Sequence, residues 1–347
     1  MTLFRKLPSP LLLKKQLPLS PQGARNVQDL RSKACLALQN PNILVLILGP
    51  CSIHHTESFL TYAKQLQAVI DVVSPHLFIV LRSYIEKPRT TQSWKGLLYQ
   101  PSLHHPPDLE RGLFVARELF IQLAELGVPL CMEFVDPLSS YYFDDLVTWG
   151  AIGARTSASQ IHRQLASLLP FPVGFKNTLD GNVDIPMQGM LSAASPHTFL
   201  GISQEGHIAS VSSEGNPWTH LILRGSDTET NYDYISLQRS FSQQSTLYST
   251  KSRIMVDCSH GNSKKNLSIQ KKVFLTVLHE YKEHATPLLG MMLESFIKEG
   301  HQKPFSVDAL DPELSITDPC LSWTCTVELI MKAHEVLALP AYSSSSL

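Results

Sequence analysis

The sequence of 347 residues carries little net charge, few cysteines and no long hydrophobic run. Charged residues make up 17% of the chain, and 29 lysines and arginines nearly balance 30 aspartates and glutamates, which gives a formal net charge of −1. Because no broad basic surface exists, we expect no nucleic-acid partner and no attachment to an anionic membrane. Any anion-binding site must therefore come from a local concentration of lysine and arginine.

The six cysteines include no CxxC pair, so a disulfide framework is not expected. No stretch reaches the roughly 18 to 20 apolar residues that span a bilayer. Pro8, Pro10 and Pro18 interrupt the apolar residues near the N-terminus, which argues against a secretory leader. We therefore expect a cytoplasmic protein, and its 43% of hydrophobic residues are sufficient for a sizeable core.

Eight short apolar runs recur along the chain, and most of them end in a polar or charged residue. They cover residues 42–52, 77–84, 129–136, 150–156, 172–177, 220–225, 253–261 and 288–295. Such near-continuous runs are typical of parallel strands that are buried on both faces. Segments with helical spacing lie between most of them, at residues 57–73, 110–126, 157–169, 265–284 and 326–339. Eight strands that alternate with helices predict an α/β protein, a (β/α)₈ TIM barrel rather than a doubly wound sheet.

Two additions to a plain barrel are expected. Residues 1–41 are predicted to form an N-terminal extension, helical near residues 24–38, followed by a catalytic barrel at 42–340 and a polar tail at 341–347. Residues 198–223 alternate apolar and polar side chains and contain two Glu-Gly pairs. This pattern predicts a β-hairpin inserted before the sixth barrel strand.

Reactive side chains stand at the ends of the predicted strands, where the active sites of α/β barrels lie. These residues are Cys51, Arg82, Glu133, Arg155, Lys176, Arg224, His260, Glu294 and, in the last loop, Asp318. A charge at the end of a buried strand is unfavourable unless it meets a partner or a ligand. Four of the residues are cations, and Lys87 and Arg89 follow closely, which suits a phosphate or carboxylate ligand. A single member could equally form a structural ion pair, but the recurrence from strand to strand favours binding.

The remaining strand-end residues form a candidate metal site. Cys51, His260, Glu294 and Asp318 offer a thiolate, an imidazole and two carboxylates, a set that suits Mn²⁺, Fe²⁺, Co²⁺ or Zn²⁺ better than Mg²⁺ or Ca²⁺. Taken singly, Cys51 is more typical of a buried small apolar residue, and His260 of a structural histidine or a general base. Their joint placement at strand ends is what predicts the metal.

Several longer motifs resemble one known family. They are GPCSIH at 49–54, EKPRTT at 86–91, WGAIGARTSASQIHRQLAS at 149–167, VDCSHGNSKK at 256–265, LESFIKEGHQ at 293–302 and SITDPCLSW at 315–323. They resemble the type I, microbial class of 3-deoxy-D-arabino-heptulosonate 7-phosphate (DAHP) synthases across nearly the whole chain. The resemblance implies a metal-dependent transferase that condenses phosphoenolpyruvate with erythrose 4-phosphate, the first step of the shikimate pathway to aromatic amino acids.

The resemblance also implies a role for each strand-end residue. The divalent metal would be held by Cys51, His260, Glu294 and Asp318. Phosphoenolpyruvate would be bound by Arg82, Lys87, Arg155, Lys176 and Arg224. Erythrose 4-phosphate would be bound by Arg89 and Thr90. As catalytic residues, Lys87 would give a proton to the developing alkoxide and Glu133 would position or deprotonate the attacking water.

The chain departs from the usual family pattern at a few positions. Cys258, Gly261 and Phe296 replace residues that flank the ligands, which bears on metal affinity rather than on the reaction. Pro170 and Gly201 stand where regulated members often carry a hydroxyl side chain, so we expect weak or absent feedback inhibition. Family members are usually dimers or tetramers, and we expect a homo-oligomer here.

Three alternatives stay open. The first is an octulosonate-phosphate synthase, which would use arabinose 5-phosphate as acceptor, although the KPRTT segment favours the four-carbon sugar. The second is a non-catalytic barrel kept as a binding subunit. The third is a metal-dependent aldolase that releases no phosphate. The sequence indicates neither the native metal, nor the number of subunits, nor the effector.

Overall fold

Eight parallel strands close into a barrel, as the apolar runs predict. The computed structural model describes residues 4–73, 75–89, 93–248, 252–284, 286–303 and 309–338. Within this part of the chain the strands are β1 (Leu44–Gly49), β2 (Leu77–Arg82), β3 (Leu130–Glu133), β4 (Trp149–Ile152), β5 (Val173–Lys176), β6 (His197–Ile202), β7 (Ile208–Ser213), β8 (Thr219–Leu223), β9 (Ile254–Asp257) and β10 (Leu288–Glu294).

The order around the barrel is β1, β2, β3, β4, β5, β8, β9 and β10, which closes on β1, and each neighbouring pair is parallel. Each predicted run contributes one of these strands, so the TIM-barrel prediction is confirmed. Strands β6 and β7 form a separate antiparallel hairpin in which Thr198 pairs with Ser212. The inserted hairpin before the sixth barrel strand is thereby confirmed, and the predicted range 198–223 also includes that barrel strand, β8.

Helices lie before, between and after the barrel strands along the chain. They are α1 (Pro10–Gln16), α2 (Pro21–Gln39), α3 (Thr56–Val73), α4 (Leu109–Glu125), α5 (Ser140–Phe143), α6 (Gln160–Leu168), α7 (Asp184–Ala193), α8 (Tyr234–Tyr248), α9 (His260–Ser263), α10 (Leu267–Glu283) and α11 (Trp323–Ala338), with a 3₁₀ turn at Pro137–Ser139. The five predicted helical segments correspond to α3, α4, α6, α10 and α11. None of the helices in the described ranges is long and apolar enough to span a membrane.

The barrel strands separate two apolar layers. In β1 the side chains of Leu44, Leu46 and Leu48 face the helices, whereas Val45 and Ile47 face the barrel interior. All of these side chains are fully buried, which explains why the run is continuously apolar instead of alternating. The interior is therefore a packed core, and ligands must approach from the barrel mouth.

The N-terminal residues fold into two helices that begin in the same way. Ser9 and Ser20 each cap a helix by accepting a backbone hydrogen bond, and a proline follows each serine at the first helical position. Helix α2 then closes the lower end of the barrel, where Ala37 joins the interior core. The division into an N-terminal extension at 1–41, a barrel at 42–340 and a tail at 341–347 stays a proposal. The tail lies outside the described residues.

Arg253 ties helix α2 to the lower end of the barrel. Its guanidinium donates to the backbone oxygens of Ala37, Asn40 (2.7 Å), Ile43 (3.1 Å) and Leu288 (3.1 Å). These carbonyls come from the end of α2, the approach to β1 and strand β10, so one side chain bridges three parts of the chain through backbone acceptors.

We predict that Arg253→Met lowers the free energy of unfolding by about 1–3 kcal/mol, because several backbone acceptors lose their donor. Urea denaturation followed by circular dichroism measures this. The matched control is Arg25→Met, which removes an exposed arginine from helix α2 and should change stability by less than about 0.5 kcal/mol. Equal effects of the two substitutions would contradict the anchoring role of Arg253.

Candidate active site

The register of the barrel strands brings distant residues to one mouth. Gly49 at the end of β1 lies beside Glu294 at the end of β10, so the chain that continues to Cys51 passes next to the Glu294 carboxylate. A side chain at Gly49 is excluded, since its Cβ would lie 2.6 Å from the Arg82 carbonyl oxygen. Glycine at this position therefore lets β1 and β2 approach closely under the site.

Three of the four predicted metal ligands form one cluster. The ligand atoms of Cys51, Glu294 and Asp318 all lie within 4.8 Å of one another, and the Cys51 Sγ is 3.5 Å from Asp318 Oδ2. His260 lies at the edge of this cluster, with its Nε2 3.7 Å from Glu294 Oε1. Burial raises the pKa of the Cys51 thiol to about 12. A thiol and two carboxylates at this spacing fit a divalent transition ion.

Lys87 joins the cluster from the loop after β2. Its Nζ donates to the Cys51 Sγ at 2.7 Å and to Asp318 Oδ2 at 3.0 Å. Burial opposes the charge of this ammonium, but Cys51 and Asp318 hold the pKa of Lys87 above its usual range. The preceding residue, Glu86, is fully buried and accepts hydrogen bonds from the Ser139 hydroxyl (2.8 Å) and the Asp136 amide (3.0 Å). The base of the Lys87 loop is thus anchored to the loop after β3.

Arg82 lies below the cluster and is almost completely buried. Its guanidinium donates to Glu294 Oε1 at 3.2 Å and to the Pro50 carbonyl at 3.1 Å. Its guanidinium carbon lies 3.7 Å from the centre of the Tyr84 ring, a distance typical of a cation–π contact. Sequence reasoning did not select Tyr84, because an aromatic residue just after a buried strand is more typical of core packing.

Asp257 connects the metal cluster to the cations, and sequence reasoning missed it. Its Oδ2 lies 2.8 Å from His260 Nδ1 and 3.1 Å from Lys176 Nζ, while Oδ1 accepts from the Ser259 hydroxyl at 2.6 Å. Burial opposes its charge, but His260 and Lys176 hold the pKa of Asp257 far below its usual range. Lys176 also lies 3.8 Å from Glu133. Asp257 ends the apolar stretch of β9, which is the signal that marked the other site residues.

The remaining predicted cations differ in burial. Arg224 is buried, and its backbone amide donates to Asn177 Oδ1 at 2.7 Å. Arg155, in the loop after β4, is exposed. Arg89 is also exposed and donates to the Trp94 carbonyl at 2.9 Å. Thr90 lies outside the described residues. Arg82, Lys87 and Lys176 therefore contact the carboxylates of the site, whereas Arg155 and Arg89 lie toward solvent.

The fold and the site define a (β/α)₈-barrel enzyme whose mouth concentrates cations beside a thiol–carboxylate cluster. Residues 37–331 match the family model of the DAHP synthetase I family. The chain is 41% identical to a protein of Escherichia coli (strain K12), "Phospho-2-dehydro-3-deoxyheptonate aldolase, Tyr-sensitive", with 95% of this chain and 93% of that protein covered.

A relative from Saccharomyces cerevisiae (strain ATCC 204508 / S288c), "Phospho-2-dehydro-3-deoxyheptonate aldolase, phenylalanine-inhibited", is 39% identical, with 94% of this chain and 90% of that protein covered. A solved structure of the phospho-2-dehydro-3-deoxyheptonate aldolase from Francisella tularensis SCHU S4 superposes with a TM-score of 0.93 at 32% identity, covering 97% of this chain and 98% of that one. The chain belongs to the DAHP synthetase I family, as its motifs predicted.

We predict that Asp257→Asn lowers the free energy of unfolding by about 3 kcal/mol, because the buried side chain of Lys176 loses its nearest anionic partner. Urea denaturation of the metal-free protein measures the change. Asp227→Asn, which neutralises an exposed aspartate in the loop after β8, is the matched control and should be nearly neutral. A change below about 0.5 kcal/mol for Asp257→Asn would show that Asp257 does not hold the network together.

Proposed function

We propose that this protein is a DAHP synthase, which condenses phosphoenolpyruvate with erythrose 4-phosphate to give DAHP and inorganic phosphate in the shikimate pathway. The observation that carries this proposal is the contact of Lys87 with both Cys51 and Asp318. It places a lysine directly on a candidate metal cluster at the barrel mouth. The membership of the family supports the same reaction.

The proposed metal ligands are Cys51, His260, Glu294 and Asp318. The donor set favours Mn²⁺, Fe²⁺, Co²⁺ or Zn²⁺. When bound, such an ion would polarise the aldehyde oxygen of the sugar phosphate as a Lewis acid. Asp257 supports this assignment, since it contacts His260 Nδ1 and the Nε2 atom of the same ring lies near Glu294.

The proposed binding residues for phosphoenolpyruvate are Arg82, Lys87, Arg155, Lys176 and Arg224. Arginine offers paired planar donors to phosphate and carboxylate oxygens, and lysine offers a compact charge. Arg82, Lys176 and Arg224 are buried, so their side chains are held in place and need no reorganisation as phosphate leaves. Arg89 and Thr90 are proposed for erythrose 4-phosphate.

The proposed reaction forms a bond from C3 of phosphoenolpyruvate to the aldehyde carbon of the sugar. Lys87 gives a proton to the alkoxide that develops on that carbon, and its partners keep it protonated until then. Water adds at C2, and the bond from C2 to the phosphate oxygen breaks to release inorganic phosphate. Glu133 would position or deprotonate this water; it is buried and lies 3.8 Å from Lys176.

We predict that the purified protein releases inorganic phosphate from phosphoenolpyruvate only when erythrose 4-phosphate is present. Chelation with EDTA should abolish the release and added Mn²⁺ should restore it, because the Lewis acid is removed and returned. Cys51→Ser should lose most of the activity with the barrel still folded, as judged by circular dichroism.

Other outcomes of the same assay separate the alternatives. Faster turnover with arabinose 5-phosphate would indicate an octulosonate-phosphate synthase, and aldol product without phosphate would indicate a simple aldolase. No turnover with either acceptor after addition of Mn²⁺, Fe²⁺, Co²⁺ or Zn²⁺ would support a non-catalytic barrel and contradict the proposal.

Feedback inhibition is proposed to be weak or absent. A cavity of about 530 Å³, lined in part by Tyr141, Pro170 and Val211, lies beside the inserted hairpin, which contains Gly201. Gly201 has no room for a side chain there, since its Cβ would lie 2.4 Å from the Tyr141 hydroxyl. Neither Pro170 nor Gly201 supplies the hydroxyl donor that regulated members often carry.

We therefore predict that phosphate release falls by less than about twofold with 1 mM Phe, Tyr or Trp, an effect of under roughly 0.4 kcal/mol. Initial rates at subsaturating phosphoenolpyruvate measure this. Strong inhibition by any one of them below 1 mM would contradict the prediction. A homo-oligomeric state and a cytoplasmic location remain predictions, as does the absence of nucleic-acid and membrane partners.

A further inference from the structure

The carboxylate of Asp318 is held by two lysines that come from different loops. Lys265 donates to Oδ1 at 2.7 Å, whereas Lys87 donates to Oδ2 at 3.0 Å. The same Oδ2 is the oxygen that faces the Cys51 Sγ, at 3.5 Å. Oδ1 thus accepts from Lys265, whereas Oδ2 faces Lys87 and Cys51. A rotation of the carboxylate would break both lysine contacts.

Lys265 reaches Asp318 from an unusual backbone turn. Lys264 and Lys265 have φ angles of 49° and 60°, and His260, at the start of the same turn, has a φ of 25°. Non-glycine residues in this left-handed region are held at a conformational cost, and they persist only where neighbouring contacts require them. Here the Lys265 amide donates to the His260 carbonyl at 3.2 Å, which closes the turn.

The turn therefore carries two groups that face the metal cluster. His260, the first residue of the turn, lies near Glu294. The side chain of Lys265, at the end of the turn, contacts Asp318 in the last loop of the barrel. Lys264 has the same backbone conformation, but its side chain is exposed. The strained backbone thus places one of two adjacent lysines on the Asp318 carboxylate.

We propose that Lys265 is a positioning residue, which orients the Asp318 carboxylate so that Oδ2 faces a divalent cation bound at Cys51 and Glu294. This inference rests on the metal site of the proposed function. Carboxylate ligands are commonly held by a hydrogen bond of this kind, and its loss typically weakens metal affinity by about 10- to 100-fold. No part of the proposed reaction assigns a task to Lys265.

The charge of Lys265 by itself lowers the metal affinity, because an ammonium repels a nearby cation. Its side chain is 53% exposed, so solvent and salt screen this repulsion. Lys264→Met removes an equal charge at the next residue without removing the contact to Asp318. The difference between the Lys265 and Lys264 variants therefore reports mainly on the hydrogen bond.

The test is the affinity of the EDTA-stripped protein for Mn²⁺, measured by isothermal titration calorimetry. We expect Lys265→Met to bind Mn²⁺ about 10-fold more weakly than the wild type, and Lys264→Met to remain within about twofold of it. Lys265→Arg, which keeps a charged donor, should recover much of the affinity. Absorption spectra with Co²⁺ would follow the Cys51 thiolate band and show that the site still assembles in each variant.

The outcomes distinguish the failure of this inference from failure of the proposed metal site. If the wild-type protein binds no divalent ion, or if Cys51→Ser binds it as tightly as the wild type, both the proposed metal site and the role of Lys265 are contradicted. If metal binding requires Cys51 but Lys265→Met and Lys264→Met bind the metal equally tightly, only the role of Lys265 is contradicted. If Lys265→Met does not fold, Lys265→Ala is compared with Lys264→Ala by the same criterion.

Discussion

A chain of ionisable side chains in mutual contact crosses the mouth of the barrel, and the placement of the candidate ligands depends on it. Its members, in spatial order, are Arg82, Glu294, His260, Asp257, Lys176 and Glu133, and consecutive members lie between 2.8 and 3.8 Å apart. Most of these side chains are buried. Because an isolated buried charge is strongly unfavourable, the buried members of the chain need the partners that lie beside them.

This constraint links stability to function. The network holds cations and carboxylates in fixed positions at the barrel mouth, where the proposed anionic substrate would meet them without their rearranging. The turn from His260 to Lys265 shows the associated cost, since three of its residues take backbone angles that non-glycine residues rarely adopt. Such strain is maintained only where surrounding contacts, here those to Asp257 and Asp318, define the conformation.

Sequence reasoning predicted the strands better than the contacts. Continuous apolar runs identified each barrel strand because parallel strands are covered on both faces. Helix α8 was not among the predicted segments, since its YISLQRSFSQQSTLY sequence has a weak apolar periodicity. The short helix α1 was also missed, although Ser9 and Pro10 supply a recognisable start signal.

The sequence by itself determined the barrel, the inserted hairpin and the family, because apolar periodicity and long motifs are local properties of the chain. It also predicted that the candidate ligands lie close together, since the ends of parallel strands meet at one mouth of the barrel. Only the tertiary structure decided that Asp257 serves both Lys176 and His260, and that Lys265 rather than Lys264 reaches Asp318. The physical reason is that ion pairing depends on distances of a few ångströms between residues far apart in the chain, which spacing along the sequence does not encode.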